Sequence, residues 1–109
     1  MATTYKILGQ AAPTANTLTD VYTVPSATQA VISTITICNQ TAENASYSIA
    51  VAADGAADAN TQYIARGATV PAADSISLTL GITLDASDVV RCNTNQSNVS
   101  FNIFGSEIT

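Results

Sequence analysis

The residues of this chain that could carry chemistry are few, and histidine is absent altogether. That removes the commonest general base and the commonest metal ligand. A nucleophile would have to be Cys38 or Cys92, and a cysteine needs a base or an electropositive neighbour to form its thiolate. Arg91 precedes Cys92, but adjacent strand residues point to opposite faces. Cys38 lies between Ile37 and Asn39 in an apolar stretch. Both read as inert, half-buried small hydrophobes. They form no CxxC pair. One in each of two strands, they have the layout of an immunoglobulin inter-sheet bridge, yet no Trp exists to pack on it. Free thiols are expected.

Paired carboxylates could act as acid and base or hold calcium through oxygen. The pairs present are Asp54 with Asp58 and Asp85 with Asp88, and neither has the spacing of an EF-hand loop. Asp85-Ala-Ser-Asp88 reads as a turn entering a strand, because Asp and Ser bond their own backbone there. The five glycines are scattered and form no phosphate loop. Tyr5, Tyr22, Tyr47 and Tyr63 could form a sugar-stacking platform, but aromatics are 6% of the chain and Trp is missing. Tyr47 alternates with core aliphatics and reads as core rim. The expectation is therefore no catalytic residue, no metal ligand and no cofactor.

The elements that would position such residues are strands. Short stretches of period-two alternation, rich in Val, Ile, Thr and Tyr, are separated by Asn, Asp, Gly, Pro and Ala clusters. Val21–Val24 is stopped by Pro25. Ala30–Asn39 is the longest β-branched run, with Val31, Ile35 and Ile37 placed on one face. Tyr47, Ile49 and Val51 form a third face, which ends at Ala-Ala-Asp-Gly. Ile76, Leu78, Leu80 and Ile82 form a fourth, and Val99, Phe101 and Ile103 a fifth. Val89–Cys92 is a further short strand; Thr4–Leu8 and Tyr63–Arg66 are weaker ones. Ala50–Ala59 has helix propensity, but Asp54-Gly55 interrupts it, so it reads as a strand followed by a loop. Seven or eight strands with turns every 8–12 residues predict one antiparallel β-sandwich over residues 1–109, immunoglobulin-like or jelly-roll-like. Residues 1–10 are an N-terminal arm or an edge strand.

Composition bounds the partners. Charged residues are 10% of the chain, the apolar fraction is 47% and the net charge is −5; a typical soluble domain carries about 25% charged residues. Strand faces turned to solvent are backed by Ser, Thr and Asn, so edges have little of the charge that blocks strand addition. A surface this neutral suits a homo-oligomer or assembly subunit. Only Lys6, Arg66 and Arg91 are positive, which excludes a basic nucleic-acid footprint and attraction to an anionic membrane. No apolar run approaches the ~20 residues of a spanning helix. The first ten residues lack a basic-then-apolar export signal, so synthesis without export is expected. The interface expectation falls on Ala2–Gln10, with Tyr5, Ile7 and Leu8 beside a single charge.

The stretch Asp20-Val-Tyr-Thr-Val-Pro through the β-branched run ending Cys38-Asn39 resembles a pattern of small virion proteins of tailed bacteriophages. The closing Phe101-Asn-Ile-Phe-Gly-Ser-Glu-Ile-Thr109 and the Leu84-Asp-Ala-Ser-Asp88 turn are similar to segments of such proteins, especially from cyanophages and other marine phages. The cysteines and the Ala-rich central loop depart from that pattern. The resemblance implies a β-sandwich structural protein of the virion, assembled in the host cytoplasm. It would be a decoration (cement) protein binding the major capsid protein, or a neck, tail or baseplate subunit among other virion subunits. A carbohydrate-binding or adhesin module is the reading from a different class.

Overall fold

The alternating β-branched stretches fold as eight strands in the computed structural model, which describes residues 2–109. They are β1 (Thr3–Ala11), β2 (Thr19–Thr23), β3 (Gln29–Asn39), β4 (Ala45–Ala52), β5 (Tyr63–Val70), β6 (Ser75–Leu84), β7 (Val89–Thr94) and β8 (Val99–Ile108). The Ala-rich loop between β4 and β5 holds two short 3-10 turns, Ala53–Gly55 and Asn60–Gln62. Two four-stranded antiparallel sheets form, in the orders β1-β8-β3-β6 and β2-β7-β4-β5. First pairs with eighth, second with seventh, third with sixth and fourth with fifth. The chain is thus one long hairpin rolled over on itself, the jelly-roll form of the expected sandwich.

The inner faces of both sheets share one core. Ile32, Ile35 and Ile37 of β3, Ile49 of β4, Val90 and Cys92 of β7, and Val99, Phe101 and Ile103 of β8 are each fully buried or nearly so. The accessible surface is 5540 Å², close to the ~5,700 Å² that area scaling gives a folded chain of 11.2 kDa. One copy therefore closes its own core.

The strand phases follow the sequence reading except at one level of the first sheet. Between the rows Ile32–Gly105 and Thr34–Phe104, β3 carries one extra residue, Ser33. Against Ser33, β6 carries two residues, Leu80 and Gly81, and β1 is shifted between Ile7 and Gly9. The single extra residue reverses the side-chain phase along β3 and along β1, whereas the two residues on β6 leave Ile76, Leu78 and Ile82 on the core side throughout. Ile32 rather than Val31 consequently shares the core face with Ile35 and Ile37, and Val31 turns outward, half-exposed. The bulge also leaves Leu80 44% exposed. Gly81 supplies the left-handed backbone, φ +64°, that the bulge on β6 requires. Tyr47 is fully in the core rather than at its rim.

The strand crossings between sheets are tied in pairs. Asn39 ends β3 and is buried. Its amide nitrogen donates to the carbonyl oxygens of Glu43, Val70 and Pro71 at 2.8, 3.2 and 3.2 Å. Its oxygen accepts from the Thr41 backbone N–H and hydroxyl at 3.0 and 2.7 Å. The β3–β4 crossing is thereby locked to the β5–β6 crossing. At the opposite end Val24 and Asp88, and Val24 and Ser87, exchange backbone bonds, joining the β2–β3 and β6–β7 crossings.

Two tests follow from this packing. Ile35→Asp, Phe101→Asp and Ile32→Asp should each prevent folding, since an unpaired carboxylate would enter the core. Val31→Asp should stay soluble and melt cooperatively by circular dichroism; failure of that variant would refute the bulged phase. Asn39→Ala should destabilise by about 2 kcal/mol or more in chemical denaturation, because it removes a buried bond to the Val70 carbonyl and two part-buried ones to Glu43 and Pro71.

Candidate functional site

Exposed apolar side chains gather on the outer face of the first sheet. Tyr5 and Ile7 of β1 are 84% and 51% exposed, and Phe104 of β8 is 36% exposed. Register sets Ile7 opposite Phe104, and Ser106 between Tyr5 on one side and Val31 on the other. Residues directly opposed across strands share a face. Tyr5, Ile7, Val31 and Phe104, with Lys6, Ser33, Gly105 and Ser106, line a shallow open groove of about 660 Å³. Gly105 is its floor: a Cβ there would overlap the Val31 carbonyl oxygen, so only glycine lets β8 and β3 close beneath the patch.

The rest of this face is neutral. The four strands of the sheet carry one acid and one base, Glu107 and Lys6, and these pair at 2.8 Å. Elsewhere hydroxyls and amides bond one another: Gln10 donates to Asn102 at 2.7 Å, and Thr36 and Ser77 lie 3.3 Å apart. Glu107 also accepts from the Tyr22 hydroxyl at 2.6 Å, so it ties β8 of the first sheet to β2 of the second. The bonds from Lys6 and then Tyr22 hold the Glu107 carboxyl below its usual range. Burial, followed by the bond to Glu107, holds the Tyr22 phenol well above its own.

The second sheet differs. Arg91 donates from Nε to Asp20 at 2.9 Å, and from its two terminal nitrogens to the carbonyls of Ala56 (2.7 Å) and Gly55 (3.1 Å). It straps the Ala-rich loop to β7. Arg66 sits 4.5 Å from the centre of the Tyr63 ring, a cation–π contact, and donates to Asn60 at 2.7 Å. The Tyr63 phenol is raised, chiefly by its bond to Asp58. Asn16, Ser46, Ser48, Asn93 and Asn95 line a small polar hollow of about 80 Å³. The side-chain oxygen of Asn93, one of the lining residues, is buried without a protein partner.

Of the acids singled out by chemistry, only Asp54, Asp85 and Asp88 meet one another, and they do so through backbone N–H groups rather than through paired carboxylates. Cys38 is half-buried, whereas Cys92 is wholly buried in the core, a correction to the half-buried expectation; both are free. Burial pushes the Cys92 thiol up to about 12, far from a thiolate at neutral pH. Asp88 accepts from the backbone N–H groups of Asp85 (2.9 Å) and Asp54 (3.0 Å), which is turn chemistry. Among the described residues no three His, Cys, Asp or Glu side chains converge on a metal site, and no helix is long and apolar enough to cross a membrane. Tyr22 and Tyr47 are buried while Tyr5 and Tyr63 belong to different sheets, so the four form no platform.

Of the interface expectation, Tyr5 and Ile7 are in the exposed patch. Leu8 is not: the bulge turns it inward, 9% exposed, into the core. The sequence reading missed Phe104 and Val31. The signal was available in Ile103-Phe104-Gly105, where a second aromatic follows the alternating run and a glycine breaks it. The edges are also better guarded than composition implied. Gly81 on β6 and Gly67 on β5, both at positive φ, mark bulges that interrupt each edge ladder. Comparison with protein-family models and with curated proteins gives no match.

The Glu107 pairing makes a pH prediction. Its folded-state carboxyl titrates below its unfolded-state value, so the pairing stabilises fully above the ordinary carboxylate range of about 4.3. That contribution is lost as pH falls through the folded value. Glu107→Gln should cost about 1–2 kcal/mol at pH 7. The gap between its melting temperature and that of the wild type should begin to close as pH falls below about 4.3. A constant gap across that range, measured by calorimetry, would contradict the assignment.

Proposed function

We propose that this chain is a non-enzymatic structural protein of a bacteriophage virion, most specifically a decoration (cement) subunit that stabilises the shell by binding the major capsid protein. The observation that carries this reading is the outer face of the β1-β8-β3-β6 sheet: apolar at one end, neutral throughout, and exposed in a chain that already closes its own core. Such a surface is suited to being covered by protein. The jelly roll recurs in viral capsid and lectin domains, and the sequence resemblance runs along most of the chain.

The remaining features agree with that role. Each cation is engaged: Lys6 with Glu107, Arg91 with Asp20, Arg66 with Tyr63. No basic surface is left to follow a phosphate backbone, and nucleic acid and membrane are not among the proposed partners. A subunit that binds the assembled lattice stabilises it by mass action, and repeated copies add through multivalency. A neck, tail or baseplate position would use the same surface. The polar hollow beside Asn93, with its unpartnered buried oxygen, favours a carbohydrate-binding or adhesin module as the second reading.

Quantitative mass spectrometry of purified particles, separated into heads and tails, tests the proposal. A head-bound copy number close to that of the major capsid protein is expected. A few copies confined to the tail fraction would move the assignment to neck, tail or baseplate. Absence from both fractions would discard the virion reading. Glycan-array binding that Asn93→Ala abolishes would then establish the second one.

A further inference from the structure

We infer that the outer face of the β1-β8-β3-β6 sheet is a two-fold interface between two copies of this chain. The inference shares with the proposed function the reading of that face as one covered by protein, and is independent of the particle assignment.

Charge is the first argument. Two copies at −5 repel, and a chain so acidic can approach itself closely only where its carboxylates are absent. Seven of its eight acids, all but Glu107, lie in turns, loops or the second sheet. Glu107 is neutralised by Lys6 at 2.8 Å.

Self-complementarity is the second. An isologous contact brings residues near the axis against their own copies. A Lys or Glu there meets itself and is repelled, whereas Ser, Thr, Asn and Gln each donate and accept and can bond their own kind. Around the patch this face presents Ser33, Thr34, Ser77, Ser100, Asn102 and Ser106. An apolar cluster of Tyr5, Ile7, Val31 and Phe104 within a hydroxyl and amide surround matches the core-and-rim layout of an interface.

Extent is the third. Four strands of about ten residues, at about 3.3 Å per residue and about 4.8 Å between strands, give about 33 by 19 Å, or about 600 Å² in plan. With side-chain relief this approaches the ~800 Å² that each partner buries in a standard interface. Edge-to-edge addition is the competing route to a dimer, and the bulges at Gly67 and Gly81 break the ladders of β5 and β6 that it would extend.

Sedimentation velocity on the purified full chain, from about 1 to about 100 µM, tests the inference. The wild type should pass from 11.2 kDa to twice that mass. Phe104→Glu and Ile7→Glu should raise the dissociation constant at least about 30-fold while retaining the wild-type circular dichroism spectrum. Ile64→Glu, at an exposed position of the second sheet, should leave it unchanged. If the glutamate variants fail to fold, Tyr5→Ser decides the matter by the same shift. A wild type monomeric throughout, a trimer or larger ring, or dissociation by Ile64→Glu but not by the face variants would overturn the inference. A dimer absent from purified particles would sink the virion reading alone.

Discussion

The Asn39 side-chain amide holds the rolled hairpin shut. A two-sheet fold must carry its chain out of one sheet and into the other several times, and each crossing leaves carbonyls without ladder partners. Asn39 meets three of them and closes its own turn through Thr41. Because it is buried, these bonds lack competition from water, and losing the amide would strand the groups it serves. The sheets can stack in register only because the third and fifth strands leave their sheets at a common, fixed corner. Thr28 and Thr94, the other buried polar residues, bond carbonyls two residues away and so hold only their own turns.

A second constraint acts through the bulges. The surface is so poor in charge that the usual guard against edge pairing is missing. Backbone geometry replaces it. On β5 and β6 a glycine at positive φ kinks the strand, so the unpaired ladder cannot present a straight template. On the first sheet the same bulge level turns Val31 outward and brings Leu8 and Ile32 in, beside Phe104, which faces outward by the unbroken alternation of β8. Protection of an edge and part of the apolar patch thus have one geometric origin.

Much of this was legible from residue types. The faces Val99–Phe101–Ile103 and Ile35–Ile37 emerge from strict alternation, and the Asp85–Asp88 turn from its side chains. Inside and outside are confused at the bulges, whereas Cys92 and Tyr47 keep their phase and are only more deeply buried than their residue types suggest. A one-residue insertion reverses inside and outside, so Val31 was placed inward and Leu8 outward. β5 looked weak for the same reason, since two irregularities interrupt its period. The patch is half legible: Tyr5 and Ile7 stand in a sparsely charged strand, but Phe104 joins them only through a register nearly a hundred residues apart. The Tyr22–Glu107 bond, 85 positions apart in the chain, has no local signal at all.

The nested pairing also dictates an order of events. Fourth with fifth is the short hairpin; third with sixth, second with seventh and first with eighth each enclose the pair before. Loop closure costs least when the intervening chain is already ordered, so the roll zips outward from β4–β5, on the slow timescale of non-local β topologies. β1 is the outermost strand of this nest and has β8 as its one ladder partner. It carries Tyr5 and Ile7, half of the apolar patch. A chain that has not yet docked β1 lacks that half, so a contact that needs the whole patch can form only on a finished molecule.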